Sequence, residues 1–198
     1  RKVLVEQMGG TLVTIAKDVK IQIEFNPARV AAYRLIGYEN RILAAEDFND
    51  DKKDAGEIGA GHTVTALYEV VPVGEPVDAP SVDPLKYQAP VEPSGDPSIR
   101  DEMLTLKLRY KEPDADESRL LEFPVVDPGT DFGRASTDLQ FAASVASFGM
   151  MLRNSQHSGD ATFDAVLEIA ASATGPDVHG YRAEFLDMVR RAKALASQ

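Results

Sequence analysis

Val30-Ala31-Ala32-Tyr33-Arg34-Leu35-Ile36-Gly37-Tyr38-Glu39-Asn40-Arg41 reads as one long strand, and the fold is read outward from it. Two tyrosines and two arginines are set on a largely apolar run. Its alternation is imperfect, which predicts a well-buried, central strand around which the other strands are organised. In an extended chain Arg34 and Tyr38 share one face, and Tyr33, Glu39 and Arg41 share the other. Tyr and Arg dominate protein interfaces, so Arg34 and Tyr38 are candidate partner-binding residues. The plainer account is an arginine paired with an acid at a sheet margin, with tyrosines half in the core.

Before this stretch, Asp18 to Phe25 alternates strictly. Val19, Ile21, Ile23 and Phe25 fall on one side, and Asp18, Lys20, Gln22 and Glu24 on the other, which predicts a half-buried strand with one wet face. Asn26-Pro27 breaks it. Thr11 to Ala16 is also extended in character, and Arg1 to Met8 reads as the end of a helix closed by Gly9-Gly10.

After the stretch, Glu46 to Gly61 is polar and reads as a long loop. His62 to Val73 reads as a strand. Gly74 to Pro97 carries Pro76, Pro80, Pro84, Pro90, Pro93 and Pro97 and reads as a surface excursion. Met103 to Tyr110 alternates, with Leu104, Leu106, Leu108 and Tyr110 facing in. Glu112 to Ser118 is an acidic turn, and Arg119 to Val126 a strand that Pro124 marks as an edge.

From Asp131 the period becomes 3.6. Ser136 or Thr137 caps a helix to about Asn154 with the stripe Phe141, Val145, Phe148 and Leu152. Asp160 is the expected cap of a second helix whose inner face is Phe163, Val166, Leu167 and Ala170, stopped by Gly175-Pro176. A third starts near His179 and buries Tyr181, Phe185, Met188, Val189 and Ala192. Strands followed by helices predict an α+β protein: an antiparallel β-sandwich-like domain over 17–130, then a three-helix unit over 131–198 packed on the sheet.

Composition narrows the function. The 198 residues include no cysteine, which excludes disulfides and thiolate metal sites. The net charge of −11 argues against nucleic acid and anionic lipid surfaces as partners. No apolar run is long enough to span a membrane, so no membrane contact is expected of this chain.

Motifs give little chemistry. Asp47-Phe48-Asn49-Asp50-Asp51-Lys52-Lys53-Asp54 invites a calcium reading, yet an EF-hand needs Gly sixth and Glu twelfth, where Lys52 and Ile58 stand. A solvated loop fits better, and Asp47, Asp50 and Asp51 join Arg34 and Tyr38 as candidate partner-binding residues. Gly56 to Gly61 is glycine-rich but opens a strand, whereas phosphate-cradling loops open a helix. Asp131-Phe132-Gly133 matches a kinase tripeptide with none of its companions. His62, His157 and His179 lack metal-ligand spacing. No catalytic, metal or cofactor-binding residue is expected.

Several blocks carry a resemblance. Gln7-x-x-x-Thr11-Leu12-x-Thr14-Ile15-Ala16-Lys17 through Asn26-Pro27, then Tyr33 through Arg41, resemble the region after the von Willebrand factor type A domain in a family of bacterial exported proteins. Ala55 to Glu69 and Gly159 to Phe185 look like the same family. The resemblance implies that residues 1–16 end the upstream type A domain, which would be the partner of the rest. It implies a domain of unknown function at a bacterial envelope, periplasmic or lipoprotein-anchored. The metal site of such proteins, Asp-x-Ser-x-Ser, belongs to the type A domain and has no counterpart here. The expected function is a non-enzymatic protein-interaction domain. The alternatives are a hydrolase using carboxylates between Glu46 and Glu57, and a calcium-stabilised adhesive module using the same loop.

Overall fold

A computed structural model of the chain describes residues 13–37, 43–77 and 99–196. The readings of Arg1 to Gly10, of Tyr38, Glu39 and Arg41, and of most of the proline-rich stretch lie outside these residues. The chain divides into two compact units, Arg1–Pro128 and Gly129–Gln198. Among the described residues the strands of the first all pair antiparallel and the second holds three α-helices, so the class is α+β.

Among the described residues the first unit has six strands: β1 (Thr14–Phe25), β2 (Val30–Ile36), β3 (Gly56–Gly59), β4 (Leu67–Pro72), β5 (Glu102–Lys111) and β6 (Arg119–Val126). Four form a sheet in the order β3-β1-β5-β6, and β2 pairs with β4 in a second, two-stranded sheet. This corrects the expectation that Val30–Arg41 holds the centre. The central strand is β1, which runs unbroken across residues 16 and 17 and ladders to β3 and β5. The reason lies at Asn26. Its backbone carbonyl accepts the N–H groups of Arg29 and Val30, its Oδ1 accepts from Ala28, and its Nδ2 donates to the Glu102 carbonyl at 2.7 Å. That tight turn pins the end of β1 to the start of β5 and turns the chain off the main sheet.

Two further boundaries moved. The polar stretch 46–61 is not all loop: it holds a 3-10 turn over Ala45–Phe48 and the strand β3. Glycines disfavour strand, but pairing with β1 overrides that weak preference. The strand expected from His62 starts only at Leu67, after Gly61 (φ 77°) turns the chain with a His62 N–H to Gly59 carbonyl bond of 3.1 Å.

Register assigns the faces. Ile21, Leu108 and Leu121 stand opposite one another, as do Ile23, Leu106 and Phe123, and Phe25, Leu104 and Val125. These nine residues make one apolar face. The other carries Lys20, Arg109 and Leu120, then Gln22, Lys107 and Glu122. The second sheet meets the first at one corner, where Phe25 stacks on Tyr33 at 4.1 Å and contacts Tyr68 at 5.5 Å between ring centroids. Tyr33 is nonetheless 59% exposed.

The second unit comprises α1 (Thr137–Leu152), α2 (Phe163–Ser172) and α3 (Tyr181–Ala196). Phe148, Val166, Ala170, Phe185, Leu186 and Val189 form its core, with Phe141, Met151, Phe163, Leu167 and Ala192 packed around it. Ser136 caps α1 through Leu139 N–H as expected, but α2 is capped by Thr162 through Ala165 N–H, not by Asp160. The expected α1 stripe is also corrected: Val145 and Leu152 are exposed, while Ser144 and Met150 are buried. Met188 of α3, expected inside, is exposed as well.

Candidate functional site

The polar face of the main sheet has an excess of cations. Lys17 stands opposite Lys111, and Lys20 opposite Arg109, with one extra residue on β1 between the two pairs. Like charges directly opposed destabilise a sheet. The extra residue makes a bulge at Asp18, whose backbone sits at φ 49°, a conformation Asp tolerates better than most residues. The bulge keeps Lys17 and Lys20 on the same side and aims the Asp18 carboxylate at Lys111 Nζ, 2.8 Å away, and at Ala55 N–H, 3.1 Å away.

The acidic loop lies over this cationic face. Lys20 is only 3% exposed, against the expectation that it faces water. Its Nζ donates to the backbone carbonyls of Asp50 at 2.5 Å and Asp47 at 3.1 Å. Lys111 Nζ donates to the Asp51 carbonyl at 2.7 Å. Arg109 donates to Asn49 Oδ1 at 3.1 Å and Ser118 Oγ at 2.9 Å, and its guanidinium sits 5.6 Å from the ring centre of Phe48. Phe48, 5% exposed, is the loop's apolar anchor. The loop is therefore tied down by three β-strand cations and one buried ring.

The structure gathers Asp47, Asp50 and Asp51 in this loop and engages each. The Asp47 carboxylate pairs with Lys53 at 2.9 Å, Asp50 Oδ1 accepts Lys52 N–H at 2.9 Å, and Asp51 Oδ1 accepts the Ser118 hydroxyl at 2.5 Å. Arg34 lies elsewhere, on β2, paired with Glu69 directly opposite it on β4. Tyr38 lies outside the described residues. Sequence reasoning missed Lys20, Arg109, Lys111 and Asp18. The crowding of five cations, Lys17, Lys20, Lys107, Arg109 and Lys111, onto one face was the available signal, but only the strand register reveals it.

Electrostatics follow the contacts. The Lys111 hydrogen bond, with Ala55 N–H in support and burial opposing, holds Asp18 below its ordinary range. The Ser118 hydroxyl and N–H do the same for Asp51. The Asp18 hydrogen bond raises Lys111, and the Asp47 hydrogen bond raises Lys53. Carboxylates held ionised this way are poor proton donors at neutral pH, because a general acid works best with a pKa near the working pH.

The arrangement also bears on metal binding. Calcium gathers backbone carbonyls as well as carboxylates. Here lysine ammonium groups already hold the carbonyls of Asp47, Asp50 and Asp51. Among the described residues no group of three or more His, Asp or Glu is placed to hold a metal ion. The histidines are apart from this loop's contacts: His157 bonds Gln156, His179 lies against Tyr181, and His62 Nε2 is buried without a hydrogen-bond partner. Among the described residues no helix is long and apolar enough to cross a membrane.

Residues 10–195 match the family described as "Uncharacterized protein YfbK, C-terminal". The chain is 43% identical over 195 residues to the "Uncharacterized protein YfbK" of Escherichia coli (strain K12), covering 98% of this chain and 33% of that relative. It thus spans about a third of the length of the curated relative it matches. No solved structure matches it. The chain belongs to this family of C-terminal regions.

Proposed function

We propose that this family member is a non-enzymatic interaction domain, one that packs against the remainder of a longer envelope protein carrying a von Willebrand factor type A domain. The observation that carries the reading is where the match falls: nearly all of this chain aligns to a third of a much longer relative, in a region the family describes as C-terminal. The resemblance of Gln7–Pro27 and Tyr33–Arg41 to the region after a type A domain supports that partner and the envelope location. The acidic loop supports a non-catalytic role, because Asp18 and Asp51 are engaged in holding it to the sheet.

The test is co-purification. The chain, immobilised, is mixed with the separately expressed polypeptide that precedes it in the full-length protein. Retention of that polypeptide is expected. Absence of retention, together with full-length protein in which the two regions unfold independently, would remove the basis for the reading. Fractionation of cells carrying the full-length protein tests the envelope location; recovery in the cytosolic fraction alone would overturn it.

A further inference from the structure

Among the described residues, the first unit leaves the Ile21 and β6 side of an apolar sheet face open. The face consists of the nine residues Ile21, Ile23 and Phe25 on β1, Leu104, Leu106 and Leu108 on β5, and Leu121, Phe123 and Val125 on β6. Among the described residues, aromatic rings of the second sheet cover the Phe25 corner, and Ile23, Leu104, Leu106 and Leu108 are half-buried. At the other side Ile21 and Phe123 are each 47% exposed, and Leu121 and Val125 are each 40% exposed. Soluble domains seldom leave a contiguous apolar patch open without using it.

Geometry limits how the face can be used. β6 is the sheet edge, but Pro124 sits within it. Proline cannot donate to a ladder and is placed on edges with its nitrogen turned outward. A strand added along β6 would lack a bond there, so the face offers more than the edge does. Three strands about 4.8 Å apart and three same-face residues about 7 Å apart give a footprint on the order of 300 Å². A stable interface between free proteins needs about 800 Å² on each side. Two copies of this chain would also each bring a net charge of −11. Area and charge therefore disfavour a second copy. A tethered partner needs less area, because linkage supplies an effective concentration of about millimolar.

We propose that this nine-residue face is where the domain packs against an apolar surface of the preceding polypeptide in the longer protein. This rests on the reading above that the chain is one domain of such a protein, and it names the surface that does the packing.

A single thiol tests it, since the chain contains no cysteine. Phe123→Cys, with Val125→Cys as a second variant, is labelled with a maleimide in the 198-residue chain and in a cysteine-free version of the longer polypeptide. Val178→Cys, at a residue 84% exposed in the helical unit, is the control. Rapid labelling at 123 and 125 is expected in the 198-residue chain, and at least tenfold slower labelling in the longer polypeptide, with the control unchanged. Equal rates in both contexts would overturn the assignment of the face. So would slow labelling in the 198-residue chain, because the face would then be covered from within it. Retention of the preceding polypeptide with a fast thiol at 123 would leave the interaction reading standing and this surface wrong. No retention, together with equal labelling rates in both contexts, would sink the two together.

Discussion

The Nζ of Lys20 donates to the carbonyl oxygen of Asp50 at 2.5 Å, across 30 residues of chain. One buried ammonium group on the central strand therefore fixes a loop that the sequence presents as acidic and free. Lys20→Met keeps the stem and removes the charge, leaving the carbonyls of Asp47 and Asp50 without that donor. The expected cost is about 2 kcal/mol, the usual range for a hydrogen bond to a charged group. Hydrogen exchange at residues 47–55 should speed up more than exchange within β5. Unchanged exchange in the loop would show that Phe48, Arg109 and Lys111 anchor it without Lys20.

The Asp18–Lys111 pair gives a stability with two pH limits. Asp18 has its folded pKa depressed below the ordinary 3.8, so its contribution is present above that value and disappears as pH falls through the folded pKa. Lys111 has its folded pKa raised above the ordinary 10.5, so its contribution is full below that value and disappears as pH rises through the folded pKa. The difference in unfolding midpoint between wild type and Asp18→Asn should be constant at neutral pH and shrink as pH drops below about 4. A difference that persists unchanged to pH 2 would assign the effect of Asp18 to the bulge backbone and not to its charge.

The faces of α1 are separable by truncation. Phe148, buried among Phe163 and Phe185, should cost about 3–5 kcal/mol when changed to Ala. Val145, one helical turn away and 41% exposed, should cost less than about 0.5 kcal/mol. Chemical denaturation followed by circular dichroism checks both, and similar costs would mean the helix packs on the other stripe.

Arg182 holds the helical unit together at three points. It donates to the Ala173 carbonyl at 2.8 Å, pairs with Asp138 of α1, and lies 4.7 Å from the ring centre of Phe141. Arg182→Ala should destabilise this unit by about 1–3 kcal/mol. Arg182→Lys should recover only part, because an ammonium cannot serve a carbonyl, a carboxylate and a ring face at once. Full recovery by lysine would reduce the role of Arg182 to its charge.

What could be read from the sequence depended on how local each cause was. The extent of β5, the edge proline of β6 and the Ser136 cap are set by neighbours in sequence, and the structure has them where the sequence predicts, although β5 is half-buried along its whole length and Leu104, Leu106, Leu108 and Tyr110 are no more buried than their neighbours. The α1 stripe differs from the expected one because the helix carries only one charged residue, Asp138, and its small polar Ser144 is buried, so a period of 3.6 has little to count against. Asp160 looked like a cap, but the chain from Ser158 to Ala161 forms its own turn and passes the role to Thr162. The centre of the sheet was misplaced because the composition of Val30–Arg41 suggests burial, whereas rank in a sheet is decided by which strands are reached over long distances. The cation cluster under the acidic loop needs the bulge at Asp18 and the register to β5, and neither is a local property.

The same long-range pairing has a consequence for how the chain is made. Asp18 and Lys111, bonded across the main ladder, are 93 residues apart. Closing a loop of that length costs about 4 kcal/mol of chain entropy beyond its constant part. The Ile21–Phe25 half of β1, which ladders to β5, must also wait for that partner to be synthesised, an interval on the order of ten seconds at ordinary translation rates. For that time Ile21, Ile23 and Phe25 are a nascent sticky segment with no ladder to join, and a natural target for chaperones. The helical unit, built from near neighbours, has no such wait. Destabilising changes in β1 should therefore slow maturation of the protein more than equal changes in α1, α2 or α3.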